Sequence, residues 1–229
     1  MPTVDLATAS LRELNQQLHE QTEATNDKHW IILNPKGQHA LAAGVDAPLD
    51  IDIEGHVGYY CGSMNKHARI TVNGNAGNAV GGNMMSGRIH VKGDASQYAG
   101  ATAHGGLLII DGDASARCGI SMKGVDIVVK GSVGHMSAFM GQAGRLVVLG
   151  DAGDALGDSL YETRIYLRGT PASLGADCIE KPMEEKHRQE LAELLEAAGL
   201  AGEVELSQFR RYGSARNLYN FKVDNVSAY

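Results

Sequence analysis

The chain has 229 residues, enough for one domain with a substantial core plus appendages. Its 20 Lys and Arg stand against 27 Asp and Glu, a formal net charge of −7, which argues against nucleic acid as a partner. No apolar run approaches about 18 residues and no apolar leader follows a basic start, so we expect no membrane span, no secretory signal and a cytoplasmic protein.

Residues 1–46 carry no repeat and are predicted to form an N-terminal cap segment over the end of the repeat domain. Ser10 suits the N-cap of a short helix. The leucines of that helix fall on one stripe, at Leu11, Leu14 and Leu18. A strand is predicted at 29–33 and a turn at 34–37, where Asn, Pro and Gly occur together.

Residues 47–178 are organised by glycines that recur every 19 residues, from 55 to 74 and onward to 169. The seven glycines in this phase are Gly55, Gly74, Gly93, Gly112, Gly131, Gly150 and Gly169. Glycine makes up only 29 of the 229 residues, so composition does not account for the phase. An unvarying period of this kind indicates an internal repeat.

Branched aliphatic residues occupy the positions four and two residues before each phased glycine. They are Ile51 and Ile53 in the first unit, and Ile165 and Leu167 in the last. A spacing of two residues places side chains on one face of a β-strand. Each unit is therefore predicted to be a short strand followed by a turn rich in small residues.

A 19-residue unit is too short for a strand plus a full helix but long enough for one coil of a β-solenoid. The predicted fold is all-β, a right-handed parallel β-helix of about seven such coils with the aliphatic ladders inside. The phased glycines are predicted to mark a corner that needs a positive φ or leaves no room for a side chain. A β-sandwich is the alternative, but it does not explain a fixed period without hairpin turns.

The three cysteines are expected to be reduced thiols. Cys61 and Cys118 occupy the same position of the repeat, three units apart. At about 4.8 Å per coil they would stand about 14 Å apart, which is too far for a disulfide.

The outward-facing column three residues before each glycine becomes apolar in the second half of the repeat. Its apolar members are Ile109, Val128, Val147 and Tyr166. A helix predicted over 181–199, with Pro182 in its first turn, has a matching apolar face. That face comprises Leu191, Leu194, Leu195 and Ala198. We expect the helix to cover the apolar stripe, and a partner protein is the alternative cover.

Residues 179–229 are expected to contain this helix and a tail that interleaves basic and aromatic residues. Arg and Tyr are enriched at the centres of protein interfaces. The tail residues predicted to dock another protein are Arg210, Arg211, Tyr212, Arg216 and Tyr219. The alternative is a tail that wraps its own rod.

No motif in the sequence carries catalytic chemistry. Gly-x-Gly-x-x-Gly fragments arise by chance in so glycine-rich a chain, and none begins a strand–helix unit. The nine histidines are scattered, without Cys-x-x-Cys or His-Glu-x-x-His, which is typical of surface residues rather than metal ligands. We therefore predict no catalytic residue, cofactor site or metal site in this chain.

The phased Gly-x-x-Gly-x-x-x-Gly units resemble the GXGXG β-helix domain that ends the large subunit of glutamate synthase. The flanks at 34–40 and 210–216 are similar to those of the small subunit of N-methylglutamate synthase. The resemblance covers nearly the whole chain. It implies a subunit of an enzyme complex with no catalytic site of its own, because the β-helix part is not known to bear catalytic residues in this family.

The resemblance also implies partners. These would be a class II amidotransferase-like subunit and an FMN-binding glutamate synthase-like subunit with an iron–sulfur centre. The expected role is to hold both together while methylamine is transferred to glutamate, giving N-methylglutamate and ammonia. The runner-up is the β-helix subunit of a formylmethanofuran dehydrogenase or a formyltransferase/hydrolase complex. A free polysaccharide lyase acting with Ca²⁺ would need a row of Asp with Arg or Lys on one face, which the repeat columns do not show.

Overall fold

The structure is a computed structural model that describes residues 1–216. Within that range the eleven strands form one sheet, with two helices beside it. The strands are β1 (Thr3–Asp5), β2 (His29–Leu33), β3 (Asp50–Glu54), β4 (Lys66–Val72), β5 (Ser86–Val91), β6 (Leu107–Ile110), β7 (Lys123–Val129), β8 (Ala143–Val148), β9 (Arg164–Leu167), β10 (Cys178–Lys181) and β11 (Arg210–Ser214). The helices are α1 (Leu11–His19) and α2 (Glu185–Ala197), and a 3-10 turn spans Leu206–Gln208.

The sheet stacks consecutive repeat units in parallel. Strands β1 to β9 follow one another in chain order, and each pairs in parallel with the next. The register pairs equivalent repeat positions, so that Ile51 lies beside Ile70 and Val148 lies beside Leu167. Every member of the two aliphatic columns is at most 1% exposed, so both columns are core ladders as predicted. Branched side chains suit these positions because they pack well on a pleated surface.

A second, thinner ladder runs two residues after each phased glycine. Isolated parallel bridges link Val57, Ala76, Ala95, Ala114, Val133, Ala152 and Pro171 in succession. All of them except Pro171 lie in the same buried core as the aliphatic columns. Two parallel ladders joined by turns define a parallel β-solenoid of about seven turns, which confirms the predicted fold class.

The prediction of a positive φ is wrong for six of the seven phased glycines, because only Gly55 has one, at +135°. Left-handed residues lie instead five, seven and nine residues further on, with φ of +61° at Tyr60, +62° at Gly62 and +59° at Met64. In the first six coils the sharp bend is made there rather than at the end of the strand. A Cβ on Gly62 would also stand 2.7 Å from Ile89 Cδ1, so glycine leaves room for the aliphatic ladder.

The helix α1 covers the N-terminal end of the rod. Ser10 and Glu13 form a capping box, in which the Ser10 hydroxyl accepts the Glu13 N–H and the Glu13 carboxylate accepts the Ser10 N–H. Leu14 and Leu18 are fully buried in the main core, as the predicted stripe requires.

The coil geometry extends into residues that show no repeat in the sequence. Strand β2 pairs in parallel with β3. Ala40 and Ala42 have the same left-handed backbone as Tyr60 and Gly62, at an interval of 20 residues rather than 19. The N–H of Gly62 donates to Leu41 O at 3.0 Å, which stacks the two turns. The parallel ladder therefore includes part of the segment predicted as an N-terminal cap.

The helix α2 covers the apolar stripe. A second buried cluster combines Ile109, Val128, Val147 and Tyr166 with Leu191, Leu194, Leu195 and Ala198. The helix begins at Glu185 rather than near Pro182, because Cys178–Lys181 form the strand β10. The expectation that this helix is the cover is confirmed, with a corrected start.

The rod ends in a strand inserted out of chain order. Strand β11 pairs antiparallel with β9 on one side and with β10 on the other. Phe209 lies in the cluster beneath α2 with 4% exposure, and Tyr212 lies in the main core with 2% exposure. Up to residue 216 the tail thus wraps its own rod, and residues 217–229 lie outside the described part of the chain.

Candidate functional site

A ladder of side-chain acceptors runs along one edge of the rod, one residue after each phased glycine. Asn75 Oδ1 accepts the N–H of Asp94 at 3.0 Å, and Asp94 Oδ1 accepts the N–H of Asp113 at 2.8 Å. The same bond continues along the column formed by His56, Asn75, Asp94, Asp113, Ser132, Asp151 and Thr170. These bonds give backbone donors at the edge of each coil a partner in the coil before it.

The phased glycines make room for this acceptor ladder. A Cβ on Gly112 would stand 2.0 Å from Asp94 Oδ1, and a Cβ on Gly131 would stand 2.1 Å from Asp113 Oδ1. No side chain fits unless the acceptor moves. The second reason given for the phased glycines, lack of room, therefore holds where the first fails.

Charged side chains on the outer face form an ion-pair cluster around Asp111. Lys130 Nζ lies 2.8 Å from its carboxylate, His90 Nε2 lies 2.9 Å away and Lys92 Nζ 3.8 Å away. Burial raises the pKa of Asp111, but the hydrogen bonds from Lys130 and His90 outweigh it and hold the pKa below its usual value. Burial also lowers the pKa of His90 despite this pairing. The cluster joins neighbouring strands on the outer face.

Glu190 anchors α2 to the sheet. Its carboxylate accepts two hydrogen bonds from Arg164, at 2.9 and 2.6 Å, and one from the Tyr166 hydroxyl. Arg145 Nη1 lies 3.4 Å from the same carboxylate. Burial raises the pKa of Glu190, but the bonds from Arg164 and Tyr166 outweigh it and keep the pKa low. The carboxylate is therefore ionised at neutral pH and holds the helix over the apolar stripe.

Two of the predicted interface residues, Arg210 and Tyr212, are used inside this chain. Arg210 Nη2 donates to Gly169 O at 2.9 Å. The ring of Tyr212 is buried in the main core. Tyr219 lies outside the described residues, so the structure does not place it.

Arg211 and Arg216, also predicted for the interface, line a groove with a volume of 580 Å³ at the C-terminal end of the rod. We call it the basic groove. Its basic side chains are Arg164, Lys181, Lys186, His187, Arg211 and Arg216. They come from β9, β10, the first turn of α2, and the β11 region. Tyr161, Glu162, Thr163, Gly213 and Ser214 complete the lining.

Three cations of the basic groove already pair with carboxylates of the same chain. Arg164 pairs with Glu190 at 2.6 Å and Lys186 pairs with Glu184 at 2.8 Å. Arg216 donates from Nε to Asp177 at 2.8 Å. These pairs orient the cationic side chains at the margin of the groove.

Lys181 and Arg211 differ from the other three cations. They stand directly opposite each other across the β10–β11 pair. Arg211 donates from Nε to Pro182 O at 3.0 Å, and neither side chain forms an ion pair with a carboxylate of residues 1–216. Like charges at directly opposed positions of a sheet repel each other.

His187 lies at the inner side of the groove with 6% exposure. Its Nδ1 accepts the N–H of Glu184 at 3.2 Å. Burial and the nearby Arg211 lower the pKa of His187. The neutral imidazole that results carries its proton on Nε2, so Nε2 is a hydrogen-bond donor.

The cysteines stand as predicted, free and buried at positions 61, 118 and 178. Burial raises the pKa of Cys61 and of Cys118 to about 12, so both remain neutral thiols at physiological pH. Among residues 1–216, no cluster of three His, Cys, Asp or Glu side chains is arranged to hold a metal ion. No helix in that range is long and apolar enough to cross a bilayer.

Most residues of the basic groove were not predicted from the sequence. Lys181, Lys186 and His187 lie outside the predicted tail, and only the return of the chain through α2 brings them to Arg211. No periodic signal marks them, because this part of the chain occurs once. The acceptor ladder, by contrast, is visible in the sequence as a repeat column of hydrogen-bonding side chains.

Comparison with known proteins agrees with the repeat architecture described above. The family described as GXGXG motif matches residues 36–198. Protein GlxC of Rhizobium meliloti (strain 1021) is 60% identical over 229 residues, which covers 100% of both chains. A chain of the crystal structure of the formyltransferase/hydrolase complex (FhcABCD) from Methylorubrum extorquens, in complex with methylofuran, superposes with a TM-score of 0.60. It shares 20% identity and aligns over 92% of this chain and 90% of that one, a likeness of fold alone. Since the family match spans well over half of the residues, the chain belongs to the GXGXG motif family.

Proposed function

We propose that this chain is a non-catalytic structural subunit of a glutamate synthase-like complex resembling N-methylglutamate synthase. One observation carries the proposal: the repeat columns are used up by the rod itself. The aliphatic columns fill the core, the phased glycines admit the acceptor ladder, and α2 covers the apolar stripe. A spacer between other subunits requires a repeat whose positions together build one continuous packed body.

The proposed partners are a class II amidotransferase-like subunit and an FMN-binding glutamate synthase-like subunit, in the cytoplasm. FMN and the iron–sulfur centre belong to the second partner. Parallel strands from β2 to β9 pair equivalent repeat positions, with register shifts only near the starts of the β4–β5 and β7–β8 pairs. They form a continuous hydrogen-bonded body that can fix the separation of two bound subunits. A fixed separation favours passage of an amine between active sites, where it joins glutamate to give N-methylglutamate and ammonia.

A second candidate role is that of the β-helix subunit in a formyltransferase/hydrolase complex. The observation in its favour is the superposition on a chain of such a complex, with a TM-score of 0.60. That superposition comes with 20% identity, whereas the GlxC relative is 60% identical from end to end. Both relatives are compatible with a subunit role, and the resemblance of the flanks favours the first.

Reconstitution tests the proposal. The two proposed partners would be purified with and without this chain, and N-methylglutamate formation from methylamine and glutamate would be followed. We expect full activity only when all three are present, and neither activity nor bound FMN for this chain alone. Stoichiometric FMN on the isolated chain, or full activity of the two partners without it, would overturn the proposal. Activity gained with formyltransferase partners would instead support the second candidate.

A further inference from the structure

The basic groove contains an electrostatic conflict that residues 1–216 do not resolve. Lys181 and Arg211 are cross-strand neighbours, and no carboxylate of residues 1–216 pairs with either. The three other cations of the groove each have an acidic partner. In a chain of net charge −7, two cations that stand directly opposite each other without a carboxylate partner among residues 1–216 point to an anion supplied from outside that range.

The floor of the groove leaves room for such an anion. Gly213 follows Arg211 on the same face of β11, opposite Ile179. Its φ is not in the left-handed region, and a Cβ there would meet only the Lys181 side chain, at an ordinary 3.6 Å from Cδ and 3.9 Å from Cε. Neither the backbone nor the packing requires glycine at this position, unlike Gly112. Gly213 lines the groove, so the absence of a side chain there adds to the open volume of the groove.

Further donors surround that space. The guanidinium of Arg211 uses Nε for Pro182 O, which leaves its two terminal nitrogens for a planar oxoanion. His187 lines the same groove with a neutral ring whose Nε2 is a donor. The N-terminal end of α2, a helix of 13 residues, adds a favourable field for negative charge.

We infer that the basic groove binds a carboxylate-rich segment of a partner subunit, a statement that rests on the proposed function. The groove's existing ion pairs are all between Arg or Lys and carboxylates, and Glu162 also lines it. Singly charged carboxylates can be distributed among separate cations. A compact dianion such as phosphate would concentrate its charge close to these acidic residues. The volume of 580 Å³ and the open shape suit several side chains of a peptide.

The test uses the full chain and a fluorescent peptide of alternating Glu and Ser, with the matched Gln and Ser peptide as its uncharged control. Fluorescence anisotropy measures binding at low salt and at physiological salt. We expect the acidic peptide to bind, the uncharged peptide to bind at least about tenfold more weakly, and added salt to reduce binding. Lys181→Gln and Arg211→Gln should each weaken binding about tenfold. Lys123→Gln removes an exposed lysine of β7 away from the groove and should bind like the wild type.

Melting curves accompany each variant, and Lys181→Gln should melt no lower than the wild type because it relieves a repulsion. The inference is overturned if both peptides bind alike, or if Lys181→Gln and Arg211→Gln bind as well as Lys123→Gln. If free succinate or inorganic phosphate competes more tightly than the acidic peptide, the groove binds a small anion and not a segment of a partner subunit. Because this test uses the isolated chain, it can fail while the complex of the proposed function still assembles.

Discussion

Replacing Gly112 with alanine separates the two reasons a glycine can be required. Gly112 does not have a left-handed φ, so its backbone conformation is open to alanine. The new Cβ would stand 2.0 Å from Asp94 Oδ1 and 3.0 Å from Gly93 O. Asp94 would have to turn away, and its 2.8 Å bond to the N–H of Asp113 would be lost. The cost of the substitution therefore comes from contact with the preceding coil.

The size of the effect follows from that bond. A hydrogen bond to a charged group contributes about 1.5–3 kcal/mol, and the exposure of Asp94 places it at the lower end. Alanine recovers about 0.4–1 kcal/mol by restricting the unfolded chain. The net loss is about 0.5–1.5 kcal/mol. At about 2–4 °C per kcal/mol, the melting temperature falls by about 1–6 °C.

Calorimetry on four proteins measures this coupling: wild type, Gly112→Ala, Asp94→Ala and the double variant. In the Asp94→Ala background most of the clash is already gone, so Gly112→Ala should cost clearly less there. Gly213→Ala is the matched control, since its Cβ meets nothing closer than 3.6 Å, and it should not lower the melting temperature. An unchanged melting temperature for Gly112→Ala, or an equal cost in both backgrounds, would refute the contact explanation.

Three further substitutions or measurements probe other parts of the rod. Glu190→Gln should destabilise the chain at pH 7 by about 1–3 kcal/mol, because the side chains of Arg164 and Tyr166 lose a charged acceptor. Folding lowers the pKa of Glu190, so the stabilisation from its carboxylate is fully present above pH 4.5 and is lost as the pH falls through the folded-state pKa. The variant should lack this acid-dependent loss of stability. Ending the chain at Gln208 removes β11, exposes the edge of β9 and should lower the melting temperature by at least about 8 °C. A thiol reagent at neutral pH should modify no cysteine until the chain is unfolded, and then all three.

Each of these expectations has its own control. Glu196→Gln changes an exposed carboxylate of α2 and should leave stability and its acid profile as in the wild type. Equal behaviour of the Glu190 and Glu196 variants would mean that Glu190 does not anchor the helix. A chain that ends at Gln208 and melts like the full chain would contradict the closing role of β11. Rapid modification of Cys61 in the folded chain would show that the core opens at that coil.

The repeat made most of the rod predictable. The aliphatic columns at 51 and 53 and their successors predict the strands, the parallel register and the buried ladder, because each signal is reinforced in every coil. The phased glycines were located correctly but one of their two explanations was wrong. A sequence shows where glycine recurs, while the contact between Gly112 and Asp94 depends on the neighbouring coil. The repeat column of hydrogen-bonding side chains that begins at His56 is the sequence feature that could have indicated this contact.

The C-terminal end was less predictable because it occurs once. The apolar face of α2 could be matched to the stripe by hydrophobicity alone. The insertion of β11 between β9 and β10 depends on the path of the chain after α2, for which no periodic pattern exists. Arg211 was singled out for its charge, but its opposition to Lys181 appears only when β10 and β11 pair. The basic groove is therefore a product of the tertiary structure.

The proposed subunit role can be tested by native mass spectrometry of the complex purified through a tag on this chain. We expect an assembly that contains this 24.3 kDa chain together with an amidotransferase-like subunit and a flavin-bearing subunit. All FMN should leave with the flavin-bearing subunit when the assembly is dissociated in the gas phase. The proposed function would be contradicted if this chain were recovered only at its own mass, or in multiples of itself, from cells that also express both partners.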